Sequence, residues 1–419
     1  MLIKIKHYIT RRTRKKSTRN AKARAETYNR HIKELINNND SKKIDSLHEL
    51  YIKNDVNSKA IPDVWWQEFI TACQTENNQN SSRSEWLHNA ASELDYAAMS
   101  CREWLDIYNT LLSFGLFYSA SPLRAKAKEA AIHNTGSKNK SDLNYKLTAL
   151  FEDCDRHDRD EIISIISHTG KGEYAKKDFE YFIDLINKRK ETQPEFDTSE
   201  IEFYKYIKGS SIAFVGPVSI EENKGHEIDA YDIVARTNYR TNDQINNTEE
   251  QGSRTDVSYY NSLQFEAIIK EQEGKLPKNL KFGILKRPKH KDLITSNTVK
   301  LTMHDNKKFV FNGHLNAIPH AIMHLLRFNP GEIKIYGADL MVTKQRYANY
   351  RPKSLGESDQ GLVFVNHDPL TQFNLLHLMW RNSLLFCDEQ LESVIKLGES
   401  RYMWELEQSR GDSSRVLNE

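Results

Sequence analysis

The chain has 419 residues, of which 38% are hydrophobic and 28% are charged, and its formal net charge is +2. This composition is typical of a folded globular protein and excludes a largely disordered chain. The length favours two domains, and the near-neutral total charge singles out no class of binding partner.

The cysteine and hydropathy patterns bear on the compartment. The four cysteines show no spacing typical of a disulfide framework or a zinc site, which favours buried thiols in a reducing compartment. No stretch approaches the roughly 18 apolar residues that a membrane-spanning helix needs. We therefore predict a cytoplasmic location. The cysteines are Cys73, Cys101, Cys154 and Cys387.

Residues 1–25 are predicted to form a basic amphipathic arm. Apolar residues between Leu2 and Ile9 share one helical side, and eight basic residues follow between Arg11 and Arg24. Each basic residue near an anionic membrane contributes about 1 kcal/mol to binding, so we expect peripheral association with the inner face of the cell membrane. A solvated basic helix is the main alternative. Nucleic acid is the least favoured partner, since no aromatic-rich segment accompanies the basic residues.

Residues 26–195 are predicted to form a helical domain. Apolar residues recur at three- and four-residue spacing around Leu47, Trp65 and Trp86. We expect most of its aromatic side chains to lie in the core. The other predicted helices are 101–117, 121–133, 141–153, 159–167 and 174–190.

The pattern changes near residue 195, where short runs rich in Val and Ile begin to alternate with helical stretches. This alternation indicates an α/β Rossmann-like domain with a mostly parallel sheet over residues 196–408. Residues 409–419 are predicted to be a disordered tail. The predicted strands are 211–216, 232–238, 256–261, 281–286 and 332–340. The predicted helices are 263–272, 314–328, 369–386 and 388–408.

The first predicted strand and the segment after it carry a series of polar and glycine positions. Ligands of doubly wound sheets bind at the carboxyl ends of the strands, where glycine turns admit phosphate. We therefore expect the backbone at Gly216 to approach a phosphate closely. Arg236 is expected to pair with Asp232 or Asp256 and brace the sheet. The series is Val215-Gly216, Gly225, Ile228-Asp229, Asp232 to Asn238, and Gly252 to Thr255.

Two later segments place polar groups at predicted helix starts. The turn Asn312-Gly313-His314 precedes one helix, whose N-terminal N–H groups suit an anion. His314 is expected beside the leaving phosphate, with a packed helix-start histidine as the alternative. His367-Asp368 precedes another helix, and a histidine there is suited to deprotonate an acceptor hydroxyl near neutral pH.

In this order, the three segments resemble the large, small and very small sialylmotifs of glycosyltransferase family 29, the sialyltransferases. The resemblance covers residues 210–385. It implies a sialyltransferase-like fold of the GT-A-variant type and a CMP-activated acidic sugar as donor. It also implies that Gly216 and the 312–314 turn supply backbone donors to the CMP-sugar and that Asn238 hydrogen-bonds the nucleotide. The helical domain over 26–195 would then bind the acceptor.

The resemblance implies an inverting displacement in which His367 is the base. A retaining enzyme of the Kdo-transferase type is the alternative, with Asp229 or Asp232 as a carboxylate nucleophile. A further alternative is a non-catalytic nucleotide-binding adaptor recruited through the arm. No G-x-G-x-x-G follows the first predicted strand, which argues against a dinucleotide-dependent dehydrogenase.

Two departures from the family bear on the setting. Pro217 stands where the family has an asparagine, and the cysteines that link the large and small motifs are absent. We therefore expect a bacterial enzyme that acts on lipopolysaccharide, capsule or a similar acceptor, with sialic acid and Kdo both open as the sugar. We expect no cofactor and no metal, because a CMP leaving group can depart with hydrogen-bond help alone. The Asp-x-Asp matches, at 153–155 and 158–160, follow no predicted strand.

Overall fold

The computed structural model describes thirteen stretches of the chain, and of residues 1–25 it describes only 21–25. The predicted helix around Leu47 lies outside the described residues. Within the described ranges, no helix is long and apolar enough to cross a membrane. The ranges are 21–37, 61–74, 81–133, 139–189, 194–220, 223–240, 245, 247–296, 298–303, 306–343, 346–347, 350–352 and 360–414.

Helices and strands are numbered here in chain order. The helices are α1 Ala21–Asn37, α2 Asp63–Gln74, α3 Ser81–Ser92, α4 Cys101–Ser113, α5 Phe117–His133, α6 Lys140–Phe151, α7 Arg159–His168, α8 Glu173–Ile186, α9 Thr198–Ile207, α10 Gly225–Asp229, α11 Thr248–Gln251, α12 Ser262–Glu271, α13 Ala317–Leu326, α14 Gln360–Asn366, α15 Pro369–Arg381, α16 Glu389–Ile395 and α17 Gly398–Ser414. The strands are β1 Ser211–Val215, β2 Ile233–Thr237, β3 Val257–Tyr260, β4 Phe282–Leu285, β5 Val299–Thr302, β6 Glu332–Tyr336 and β7 Phe386–Cys387.

The chain divides into two compact units. The division differs from the boundary predicted near residue 195, because α6, α7 and α8 belong to the second unit. Phe151 and Phe179 pack against Phe309, and the Tyr181 hydroxyl donates to the Leu326 carbonyl at 2.7 Å. These helices therefore complete the core of the second unit. The first unit is Met1–Thr135, Asp359–Asp368 and Met403–Glu419, and the second is Gly136–Ser358 and Pro369–Tyr402.

The described part of the first unit consists of helices and their connections. Trp65 and Phe69 of α2 are buried and stack with ring centroids 5.8 Å apart. Helix α4 begins with a capping box in which Ser100 and Glu103 exchange hydrogen bonds, as the local sequence favours. Buried aromatic side chains and the capped start of α4 therefore stabilise this unit.

The second unit contains a seven-stranded sheet in the order β5-β4-β3-β2-β1-β6-β7. All neighbouring strands are parallel, so the predicted α/β class is confirmed. Strand β1 is hydrophobic on both faces: Phe214 contacts Tyr259 on one face, while Val215 packs with Ile228 and Val234 on the other. Burial of both faces is typical of a parallel sheet covered by helices.

The sheet changes direction at its first strand. From β1 the chain adds strands outward to β5, and it then returns to place β6 on the other side of β1. Such a reversal is a topological switch point, outside which doubly wound proteins bind ligands at the carboxyl ends of the strands. A ligand site is therefore expected at the carboxyl ends of β1 and β6.

Helix boundaries near the C-terminus differ from the prediction. The predicted helix over 388–408 is two helices, α16 and α17, and the second begins at Gly398, whose φ of +75° is left-handed. Helix α17 continues to Ser414. The predicted disordered tail is therefore wrong for residues 409–414, and residues 415–419 lie outside the described ranges.

Candidate functional site

Two glycines meet at the carboxyl ends of β1 and β6. A Cβ on Gly216 would lie 2.4 Å from the Gly337 carbonyl oxygen, and one on Gly337 would lie 2.6 Å from that of Val218. Gly337 also has a left-handed φ of +61°, which a side chain would strain. Only glycine therefore fits at both positions. We call the region around Gly216, Gly337 and the N-terminus of α13 the switch-point crevice, after the place where doubly wound sheets bind ligands.

Gly216 borders this crevice without offering a donor to it. Its N–H donates to the Tyr336 carbonyl at 2.8 Å, and the N–H of Val218 donates to that of Gly337 at 2.9 Å. Pro217 between them has no N–H. The Gly216 N–H is therefore paired within the protein, and its expected phosphate contact stays a prediction. The glycine is required for close packing of the two chain segments.

The N-terminus of α13 does offer unpaired donors. The side chain of Asn316, the residue before the helix, makes no capping bond, and its Nδ2 lies 3.3 Å from Met341 Sδ. In the described part of the chain, no acceptor is found for the N–H of Ala317 or Ile318. Ile318 Cδ1 lies 3.0 Å from the position of a Cβ on Gly216. The positive end of this helix therefore lies beside the end of β1.

The predicted turn at 312–314 positions this helix. Gly313 has a φ of +71°, and the carbonyl oxygens of Asn312 and His314 accept from Thr371 Oγ1 at 3.2 Å and Gln372 Nε2 at 2.9 Å. The amide oxygen of Gln372 also accepts from the N–H of Asn316 at 2.8 Å. Helix α15 thus holds both ends of the turn.

Asn238 lies directly after β2, at the same edge of the sheet. It is fully buried, and its φ of +52° is left-handed, a backbone conformation that residues other than glycine rarely adopt. Its Oδ1 accepts from the N–H of Asn261 at 3.0 Å, and its Nδ2 donates to the Tyr350 hydroxyl at 3.0 Å. The predicted nucleotide-binding amide is therefore held by protein groups in this state.

The loop after β6 contributes two tyrosines that the sequence analysis did not single out. The Tyr350 hydroxyl contacts Asn238 and, at 3.2 Å, Thr237 Oγ1. The N–H of Tyr347 donates to the Pro217 carbonyl at 2.9 Å. Leu340 and Met341, earlier in this loop, have φ values of +51° and +73°, so backbone strain is concentrated here. The only sequence signal for the position of these tyrosines is their occurrence in a polar segment after a strand.

Asp232 lies at the opposite edge of the sheet, before β2. Its carboxylate accepts from the N–H and the hydroxyl of Ser211, both at 2.8 Å. These bonds hold the pKa of Asp232 below its ordinary value. The five residues of β2 separate it from Asn238, a distance of roughly 20 Å along the strand. The structure therefore does not bring Asp232 together with the predicted donor-binding residues, and its role as a nucleophile stays a prediction.

Asp229 and Arg236 tie the segment before β3 to the sheet. Although burial opposes ionisation of Asp229, the N–H groups of Ser253 and Arg254 that donate to it hold its pKa below the ordinary value. Arg236 is buried and donates to backbone carbonyls, including that of Gly252 at 3.2 Å, rather than to a carboxylate. The expected pairing of Arg236 with Asp232 or Asp256 is therefore wrong. These positions of the large-motif segment stabilise the fold.

His367 and Asp368 belong to the first unit, while the other predicted site residues belong to the second. His367 follows α14 and is half-buried, with its Nε2 2.9 Å from Asn366 Nδ2. Asp368 is fully buried and pairs with Arg124 at 2.8 Å and with the Tyr108 hydroxyl at 2.5 Å. The carboxylate thus fixes the chain immediately after the histidine.

The first Asp-x-Asp match is occupied by a basic residue. Asp155 accepts from Arg381 and from Asn382, with the latter at 2.9 Å. Although burial opposes ionisation, these hydrogen bonds hold the pKa of Asp155 below its ordinary value. In the described residues, no group of three or more His, Cys, Asp or Glu side chains is arranged to hold a metal ion.

The chain was compared with protein families, with curated proteins and with solved structures, and none of them matches it.

Proposed function

We propose that this protein is a glycosyltransferase that transfers sialic acid or Kdo from a CMP-activated donor to a bacterial surface glycan such as lipopolysaccharide or capsule. The observation that carries the proposal is the uncapped N-terminus of α13 beside Gly216 at the switch point. Two unpaired N–H groups and the positive end of a ten-residue helix suit the single phosphate of a CMP donor.

The remaining donor contacts follow from the same edge of the sheet. Asn238 would bind the nucleotide once its amide exchanges the Tyr350 hydroxyl for a ligand oxygen. Asn312, Gly313 and His314 would contribute by orienting α13 towards the phosphate. The motif order from Gly216 to His367 supports a sialyltransferase-like fold of the GT-A-variant type.

The proposed reaction is an inverting displacement. The acceptor oxygen attacks the anomeric carbon, the bond to the CMP phosphate breaks, and His367 takes the acceptor proton. The N–H groups of α13 stabilise the negative charge that develops on the departing phosphate. Asp229 and Asp232 are committed to backbone and serine donors, which favours this route over a covalent glycosyl-enzyme.

We place the enzyme in the cytoplasm, at the inner face of the cell membrane, with residues 1–25 binding anionic lipid. The first unit would bind the acceptor. A non-catalytic nucleotide-binding adaptor is a second candidate, because protein groups already satisfy the Gly216 N–H and the Asn238 amide in this state.

A transfer and hydrolysis screen with CMP-Neu5Ac, CMP-Kdo and UDP-sugars tests the proposal. We expect turnover of a CMP-sugar that survives EDTA, with inversion at the anomeric carbon observed by NMR. CMP binding without turnover would support the adaptor. Turnover of UDP-sugars alone, or complete loss in EDTA restored by magnesium, would contradict the proposal.

A further inference from the structure

Tyr347 carries a buried hydroxyl. Its phenolic oxygen is shut off from solvent and has no hydrogen-bond partner within the part of the chain that the structure describes. It lies 3.1 Å from the position of a Cβ on Gly337, against the turn that borders the switch-point crevice. A buried hydroxyl without a partner costs folding free energy, and such groups are uncommon in native structures. A phenylalanine would pack equally well without that cost.

The charged groups around Tyr347 are already paired with the protein. Asp388 accepts from the N–H of Gly337 at 2.7 Å and from that of Leu391 at 2.9 Å. Glu250 accepts from Ser219 Oγ at 3.2 Å and from Asn247 Nδ2 at 2.6 Å. The Tyr347 hydroxyl is therefore the polar group of this neighbourhood, among the described residues, that still requires a partner.

The charged groups around Tyr347 indicate which class of ligand group would pair with its hydroxyl. The cation of Arg236, and then the carboxylates of Asp388 and Glu250, act on Tyr347 electrostatically. Because protein groups already engage these charges of both signs, none of them requires a further ion at this position. A neutral hydroxyl, which both donates and accepts, satisfies the phenol without adding charge.

We infer that Tyr347 is a ligand-binding residue whose hydroxyl pairs with a ring hydroxyl of a bound sugar, either the ribose of the nucleotide or the transferred sugar. This inference rests on the proposed function. Ligand entry would exchange the Tyr347 N–H bond to Pro217 and the Tyr350 bond to Asn238 for contacts with the ligand. The tyrosine would thus gain on binding the hydrogen bond that it lacks in the free protein.

Titration calorimetry of wild-type protein and Tyr347→Phe tests the inference. The ligands are CMP, 2′-deoxy-CMP, 3′-deoxy-CMP and the CMP-sugar, CMP-Neu5Ac or CMP-Kdo, that the wild-type protein turns over. If the partner is a ribose hydroxyl, Tyr347→Phe weakens CMP binding about 3- to 10-fold and leaves the matching deoxy nucleotide unaffected. If the partner is on the transferred sugar, the loss appears for the CMP-sugar and not for CMP. Equal effects on all four ligands, or no effect, would overturn this inference and leave the proposed function standing.

Thermal unfolding separates a binding role from a structural one. Tyr260 is a matched control, because its buried hydroxyl donates to the Tyr239 carbonyl at 2.6 Å. We expect Tyr260→Phe to lower Tm by about 2–4 °C and Tyr347→Phe to leave Tm unchanged or raise it. A drop for Tyr347→Phe as large as that for Tyr260→Phe would overturn the inference. If wild-type protein binds none of the four ligands, the proposed function fails and this inference fails with it.

Discussion

Replacing Asp368 with alanine is expected to destabilise the first unit by about 3–5 kcal/mol, because it leaves the guanidinium of Arg124 buried without its carboxylate partner. Arg124 and Asp368 are 2% and 0% exposed, so water cannot replace the lost charge. The Tyr108 hydroxyl loses its acceptor as well. Urea unfolding followed by circular dichroism measures the loss.

Two controls test whether the loss of stability arises from burial of the Arg124–Asp368 ion pair. Glu68→Ala removes a half-exposed ion pair with Arg83 in the same unit, and we expect it to cost less than about 1 kcal/mol. The double variant Arg124→Met, Asp368→Leu removes both charges, and we expect it to recover most of the stability. Equal losses for Asp368→Ala and Glu68→Ala would contradict the structural role assigned to Asp368.

Replacing His367 with alanine is expected to slow sugar transfer by about 10²–10⁴-fold, the usual contribution of a general base. The affinity for CMP should not change, because the proposed nucleotide contacts come from α13 and Asn238. Steady-state transfer rates and CMP titration measure the two quantities separately. A variant that loses rate and keeps affinity has lost an interaction made in the transition state.

His226→Ala is a suitable control for the histidine prediction. His226 is exposed on α10 in the second unit, and its removal should leave both rate and affinity unchanged. If His367→Ala transfers sugar at the wild-type rate, His367 is not the base. If wild-type protein binds CMP but transfers nothing, the adaptor is favoured.

The sheet could be predicted from sequence because its strands are short, apolar and bounded by clear turns. Five predicted strands are confirmed as β1 to β4 and β6, and their parallel arrangement follows from the helices between them. Strand β5 was missed because Val299–Thr302 includes a lysine and is mostly half-buried, so it lacks the apolar run that marks the equally short β3 and β4. Strand β7 has two residues, Phe386–Cys387, too few to show any periodicity.

The site was less predictable, since its contacts join distant segments. The need for glycine at 216 could be read from the sequence, but the close neighbour is the Gly337 carbonyl rather than a phosphate. Arg236 binds carbonyls of a loop fifteen and more residues away, which charge patterning does not reveal. Tyr347 and Tyr350 belong to no motif, so only the fold brings them to the carboxyl edge of the sheet.

Asn316→Asp tests whether the N-terminus of α13 binds the phosphate of a CMP donor. A carboxylate at this position suits the positive end of the helix, so we expect Tm to be maintained or raised. The same carboxylate repels a phosphate. We therefore predict, by titration calorimetry, that the variant binds CMP about tenfold more weakly than wild-type protein and binds cytidine equally well. Unchanged CMP affinity, or an equal loss for cytidine, would show that the N-terminus of α13 does not bind the phosphate.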